Sequence, residues 1–169
     1  MDAREAIMSR RSVRKFLDRE VEREKIDELL SAADAAPSAC NKRPVDFYVI
    51  RNREKLSALS GSGRFTGIGS PLAIVVAGDM TRTLPRSYRE YWVHDAAAAT
   101  ENILIMANAL GLGACWCGVH TQESVMKKVS EVLELPEHII PFSLIRIGYP
   151  DEFPEPHGSY APERVKFID

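Results

Sequence analysis

The chain has no apolar run suited to a signal peptide or a membrane span. Asp2, Arg4, Glu5, Arg10 and Arg11 interrupt the N-terminal region at once, which predicts that the chain is not secreted. The longest weakly polar stretch, 96–117, is broken by Glu101, Asn102, Asn108, Gly111 and Gly113, so it reads as a buried helix running into a strand. Cysteine is scarce: three residues, an odd number, with two of them at positions 115 and 117, exclude a disulfide framework and predict reduced thiols in a cytoplasm. Strong charge of one sign is also missing. A formal net charge of −2 gives no global attraction to nucleic acid or to an anionic membrane. Finally, no GxGxxG follows a predicted strand and no GxxxxGK(S/T) occurs, which argues against a Rossmann or P-loop nucleotide enzyme.

What is present is the composition of an ordinary folded domain. Hydrophobic residues make up 45% and charged residues 27% of 169, enough for one core and too few for two, so residues 1–169 are expected to form a single domain. A short helix is predicted over 2–10 with Asp2 as its cap. A stronger one follows over 22–36, where Ile26, Leu29, Leu30 and Ala33 share one face before Pro37 stops it. Strands are predicted at 45–50 and 72–77, flanking a glycine-rich loop over 61–69. An alanine-rich helix over 91–110 should be buried, being apolar on most sides. A strand at 114–119, a helix opened by Thr121 with Val125, Val129, Val132 and Leu133 inward, and a last strand at 142–147 complete the order. Beyond about 150 the prolines 150, 154, 156 and 162 predict an extended arm with little helix. The lack of a strand, helix, strand cadence predicts an α+β fold, and an arm without a core of its own predicts a second copy for it to lie on.

Three segments carry candidate chemistry. The first, SRRSVRKF at 9–16, places Arg10, Arg11, Arg14 and Lys15 around Ser9 and Ser12, a composition suited to a phosphate. On composition alone a solvated helix end stands ahead of that reading. A nucleic-acid arm stands behind both, because interleaved aromatics are lacking. The second, PSACNKRP at 37–44, is a polar loop in which Ser38 and Asn41 could meet the edge of a heteroaromatic ring. In the third, GLGACWCGVH at 111–120, Gly118 would let a flat ligand approach the backbone. Cys115, Cys117 and His120 could instead be metal ligands, but no second CxxC or HxxxH supplies a partner set, and buried thiols are the better reading. His94 and His120 are possible proton donors; a structural role at a strand end is the commoner one.

Taken together and in this order, SRRSVRKF, AAPSACNKRP before DFYVI, SPLAIVVAGD, HDAAAATENILIMANALGLGACWCGVH, IRIGYPDEFP and PERVKF resemble the nitroreductase family over nearly the whole chain. The resemblance implies a central, mainly antiparallel sheet surrounded by helices, an intertwined homodimer, and FMN at its interface. It implies that Arg10, Arg11, Ser12 and Arg14 hold the phosphate and ribityl chain, with Arg164 as a second phosphate contact. Pro37, Ser38, Ala39 and Asn41 would be laid by the partner subunit against the isoalloxazine ring, and Gly118 and Val119 would face it near N5. No residue of the protein is then a nucleophile. The flavin takes a hydride from NADH or NADPH and passes it to a small planar acceptor such as a nitroaromatic or a quinone, with neither nucleic acid nor membrane as a partner. Arg43 and Val45 stand where many relatives have Gln and Trp, so the acceptor is not implied. A non-catalytic flavin-binding protein, or another flavin reaction on the same fold such as reductive dehalogenation, is the alternative.

Overall fold

The computed structural model describes residues 1–60, 69–155 and 160–168; of the predicted glycine-rich loop only Gly69 falls among them, and Pro156 of the arm lies outside. Helix α1 (Ala3–Ser9) is capped by Asp2, whose carboxylate accepts the Glu5 N–H at 2.8 Å. Helix α2 (Arg23–Asp34) buries Ile26, Leu29 and Ala33 and ends just ahead of Pro37. Strand β1 (Val45–Ile50) has the predicted bounds.

Helix α3 (Arg53–Ser60) escaped the sequence reading because it offers only Leu56 and Leu59 to the core, too few for a periodic stripe. A local signal was present all the same: the Asn52 side chain accepts the Lys55 N–H at 2.9 Å, as a capping residue does. Strand β2 (Leu72–Asp79) runs two residues further than expected, α4 (Tyr91–Ala109) matches closely, and β3 spans Gly113–Gly118. Helix α5 (Glu123–Leu133) does not open at Thr121. That residue has φ +70°, outside both strand and helix, and Gln122 precedes the first turn without a side-chain cap. Strand β4 is longer than predicted, Ile139–Gly148.

The four strands form one antiparallel sheet in the order β1-β2-β4-β3. Side chains alternate across it and fill two cores. Ile74, Val76, Ala114, Ile145 and Ile147 face α2 and α4, whereas Ala73, Val75, Ala77, Cys117 and Leu144 face α3 and α5. Both faces of β2 and β4 are therefore covered, which explains why their sequences read as continuous apolar runs. One charged residue breaks that pattern. Arg146 of β4 is 1% exposed, with Nη1 donating to the Leu56 carbonyl at 3.3 Å and Nη2 to Ser60 Oγ at 3.0 Å, and it forms no salt bridge with a carboxylate among the described residues. It pins α3 to the sheet.

Candidate functional site

The cationic segment is no helix end. Helix α1 stops at Ser9, and the chain then runs extended along the open side of β3, where Ser12 bridges Ala114 and the Val13 N–H donates to the Ala114 carbonyl at 3.0 Å. It continues beside the end of β4: the Leu17 N–H donates to the Tyr149 carbonyl, and the Asp151 N–H to that of Lys15, both at 2.9 Å. The Glu152 carboxylate takes the Arg14 and Lys15 N–H groups at 2.6 and 3.2 Å. With the backbone fixed from both sides, the side chains divide the work. Arg10 pairs with Glu101 at 3.2 Å. Arg11 donates to the carbonyls of Met8 at 3.0 Å and Glu155 at 3.2 Å, while Arg14 is exposed and, among the described residues, its side chain reaches only the Ser12 carbonyl, at 3.4 Å. A cleft of about 260 Å³ lies here, lined among others by Arg10, Arg11, Val13, Asn108 and Glu152.

Strand β3 is an edge strand, so its outer backbone groups need another partner beyond the short contact with residues 12 and 13. Because Ala114 turns its carbonyl outward to Val13, the two-residue alternation turns Trp116 and Gly118 the same way. Gly118 is the open end of that edge. A Cβ built there would meet nothing nearer than Gln122 Nε2 at 3.6 Å, whereas one at Gly78 would overlap the Trp92 ring. Packing therefore requires glycine at 78 but not at 118. Gly118→Ala is expected to keep the melting temperature within about 2 °C of the parent, and Gly78→Ala to lower it by several degrees, as overpacking costs about 1–3 kcal/mol. Equal melting temperatures for the two variants would contradict this. Val119 is placed differently from Gly118: its side chain is buried and its N–H points back to the Phe142 carbonyl at 3.3 Å.

His120 packs its ring 4.9 Å from Trp92, with Nδ1 buried and, among the described residues, without a hydrogen-bond partner. Cys115 and Cys117 are buried on the opposite face of β3. The Cys117 thiol, helped by the charges of Arg14 and Arg146, holds the Cys115 thiol below its usual value against the opposing effect of burial. Among the described residues no three His, Cys, Asp or Glu side chains are grouped so as to hold a metal ion.

The 37–44 loop crosses from α2 to β1 in a demanding conformation, with positive φ at Cys40 (50°), Asn41 (52°) and Arg43 (46°). Several hydrogen bonds hold it there. Ser38 Oγ accepts the Arg43 N–H at 3.0 Å, Asn41 Oδ1 accepts Arg43 Nε at 3.2 Å, and the buried Asp95 Oδ1 of α4 accepts the Ala39 N–H at 2.9 Å. From below, Arg82 donates to the Arg43 carbonyl at 2.7 Å, to Asp79 at 2.8 Å and to Asp46. Burial alone would raise the Asp79 carboxyl, but hydrogen bonds from Thr81 and Arg82 outweigh it and hold it at about 2. A depressed carboxylate stabilises the fold above its unfolded value near 4 and loses that contribution as pH falls through about 2. Acid titration should therefore weaken the protein between pH 4 and 2, and Asp79→Asn should flatten that part of the stability profile. An unchanged slope would remove Asp79 from the account.

The candidate segments are thus split within one chain. The cationic segment and Gly118 share β3. The 37–41 loop feeds β1, on the opposite edge of the sheet, three strand spacings or about 14 Å away. Arg164 sits in an exposed helical turn, Pro162–Arg164, and among the described residues no hydrogen bond or ion pair joins its side chain to the segment. The arm around it exposes Tyr160, Phe167 and Ile168. Glu152, Asp95 and the Asp79–Arg82 pair were not singled out by the sequence reading. Only Asp95 left a signal, as one of two carboxylates, with Glu101, in the apolar, alanine-rich helix.

Comparison with known proteins identifies the family and the fold. A model described as the nitroreductase family matches residues 7–64 and 62–149. A relative from Methanothermobacter thermautotrophicus, named "Putative NADH dehydrogenase/NAD(P)H nitroreductase", is 42% identical over 98% of this chain and 86% of its own. The solved structure of a protein with the same name from Parabacteroides distasonis superposes with a TM-score of 0.92 at 35% identity, covering 99% of this chain and 98% of that one. An FMN-dependent nitroreductase from Clostridium difficile superposes with a TM-score of 0.87 at 34% identity, covering 97% and 98%. Among the described residues no helix is long and apolar enough to cross a membrane.

Proposed function

This chain belongs to the nitroreductase family, and from that premise we propose that it is an FMN-dependent oxidoreductase, passing a hydride from NADH or NADPH through the flavin to a planar oxidised acceptor such as a nitroaromatic or a quinone. The observation that carries the reading is the composition of the β3 edge. Cations stand beside its first residues, and a glycine that packing does not require stands at its last, about 13 Å further along. That arrangement suits a ligand with an anionic end and a flat end.

The residues present fit FMN in that sense. Arg11 and Arg14, with Ser12 between them, would hold the phosphate end, while Arg10 shares its charge with Glu101. Gly118 would give the ring access to the outward backbone of β3, with Val119 buried behind it as support. The 37–41 loop lies on the far edge of the sheet, which supports a site completed by Pro37, Ser38, Ala39 and Asn41 of a second copy. The exposed apolar arm carrying Arg164 supports the same homodimer, in which it would lie across the other copy. In this reading residues 1–169 are one domain with an arm from about 150, working in the cytoplasm. Outward backbone N–H donors near Gly118 would favour the reduced, anionic flavin, so the protein would need no nucleophile of its own.

Purified protein supplied with FMN should retain one flavin per chain, run at the mass of a dimer, and, without oxygen, oxidise NADH or NADPH beyond one equivalent per flavin only when a quinone or nitroaromatic is present in excess. Flavin retention by a monomer would remove the shared site.

A further inference from the structure

We infer that Asp95 is the positioning residue that sets the 37–41 loop against the ring; the inference rests on the proposed role of that loop. Its carboxylate is 7% exposed, and the one hydrogen bond it makes among the described residues is from the Ala39 N–H, at 2.9 Å. A carboxylate removed from water needs compensation, and here the compensating group is the backbone of a loop rather than a cation. The bond reaches across 56 positions of sequence, from the second turn of α4 to the residue between Ser38 and Cys40.

The loop has reason to need it. Cys40, Asn41 and Arg43 all adopt the left-handed conformation that non-glycine residues disfavour, so the loop would relax unless held. The bonds of Ser38 and Asn41 to Arg43 are internal to it and fix its shape but not its place. Arg82 and the Asp79 N–H hold its C-terminal end, at Arg43 and Pro44. Asp95 holds the other end, the part carrying Ser38, Ala39 and Asn41. The loop lies close on α4 there: the space between Pro37, Ser38, Arg43, Asp95 and Ala99 is about 20 Å³, room for a single water. What Asp95 supplies is an acceptor at one point, not a charge for the ligand.

Asp95→Ala and Asp95→Asn separate these two. Asparagine keeps an oxygen acceptor and loses the charge. In the FMN-loaded dimer, Asp95→Ala should change the visible circular dichroism of the bound flavin and lower kcat/KM for a quinone about tenfold, while Asp95→Asn stays within about twofold of the parent. Amide hydrogen exchange, measured with and without FMN, should rise at Ala39–Asn41 in the alanine variant alone. Equal loss in both variants would show that the charge matters and overturn the inference. Faster exchange with an unaltered flavin spectrum and kcat/KM would overturn it too, by leaving the tether real but unused. If the parent retains no FMN, the proposed function fails and the inference with it. Retention of FMN with an unresponsive Asp95→Ala would sink the inference alone.

Discussion

Arg11→Ala should weaken FMN binding by roughly 30-fold, the loss of about 2 kcal/mol that a hydrogen bond to a charged group contributes. The guanidinium is oriented in advance: Nε and Nη1 are held by the Glu155 and Met8 carbonyls, and no hydrogen bond engages Nη2 among the described residues, so one side of the fork is left for an oxyanion. Arg10→Ala should do less, because Glu101 already neutralises that cation at 3.2 Å. Arg11→Lys should recover part of the loss, keeping the charge without the fork. Isothermal titration of apoprotein at two salt concentrations reads all three variants. Because Arg11 also ties down Met8 and Glu155, the melting temperature of the apo variant is recorded alongside, and a fall of only a few degrees is expected. A larger effect at Arg10 than at Arg11 would reverse the assignment.

The largest stability effect is expected at Arg146. Truncation to alanine leaves the Leu56 carbonyl without its guanidinium donor, strips Ser60 Oγ of another, and opens a cavity between α3 and β4, for a cost of about 3 kcal/mol or more. In a chain of this length that corresponds to a fall in melting temperature of about 10 °C. Arg146→Met tests where the energy resides. Burial opposes the charge on Arg146, Nε has no partner, and no carboxylate answers it among the described residues, so a thioether of similar length should restore most of the stability. Thermal denaturation of the two variants decides the matter. Equal losses for alanine and methionine would mean that the hydrogen bonds to α3, not the filled volume, hold that helix.

The sequence made most of the sheet legible because β2 and β4 are buried on both faces and read as continuous apolar runs, while α2 and α4 carry long stripes. It failed where the signal was short or local. Helix α3 shows two buried leucines, and Thr121 has the composition of a cap but the dihedrals of a turn. The chemistry of the site was legible as residue types: cations with a serine at 10–14, a polar loop at 37–41, a glycine at 118. Their relation was not. That β1 and β3 occupy opposite edges depends on the pairing of β2 with β4, a contact between residues some 70 positions apart, and this topology is what separates the loop from the cations within one chain. Nor could the sequence show that Glu101 takes up Arg10, or that Asp95 reaches back to Ala39, since neither pair is local.

The central claim is that a flavin bound along β3 exchanges hydride with a nicotinamide. Its most direct test is the visible absorption spectrum of the FMN-loaded protein, recorded without oxygen before and after one equivalent of NADH or NADPH. The account predicts that the flavin bands bleach with at least one of the two and return when a quinone is added. Flavin bands that persist with both nucleotides would contradict it and point to a protein that binds flavin without using it.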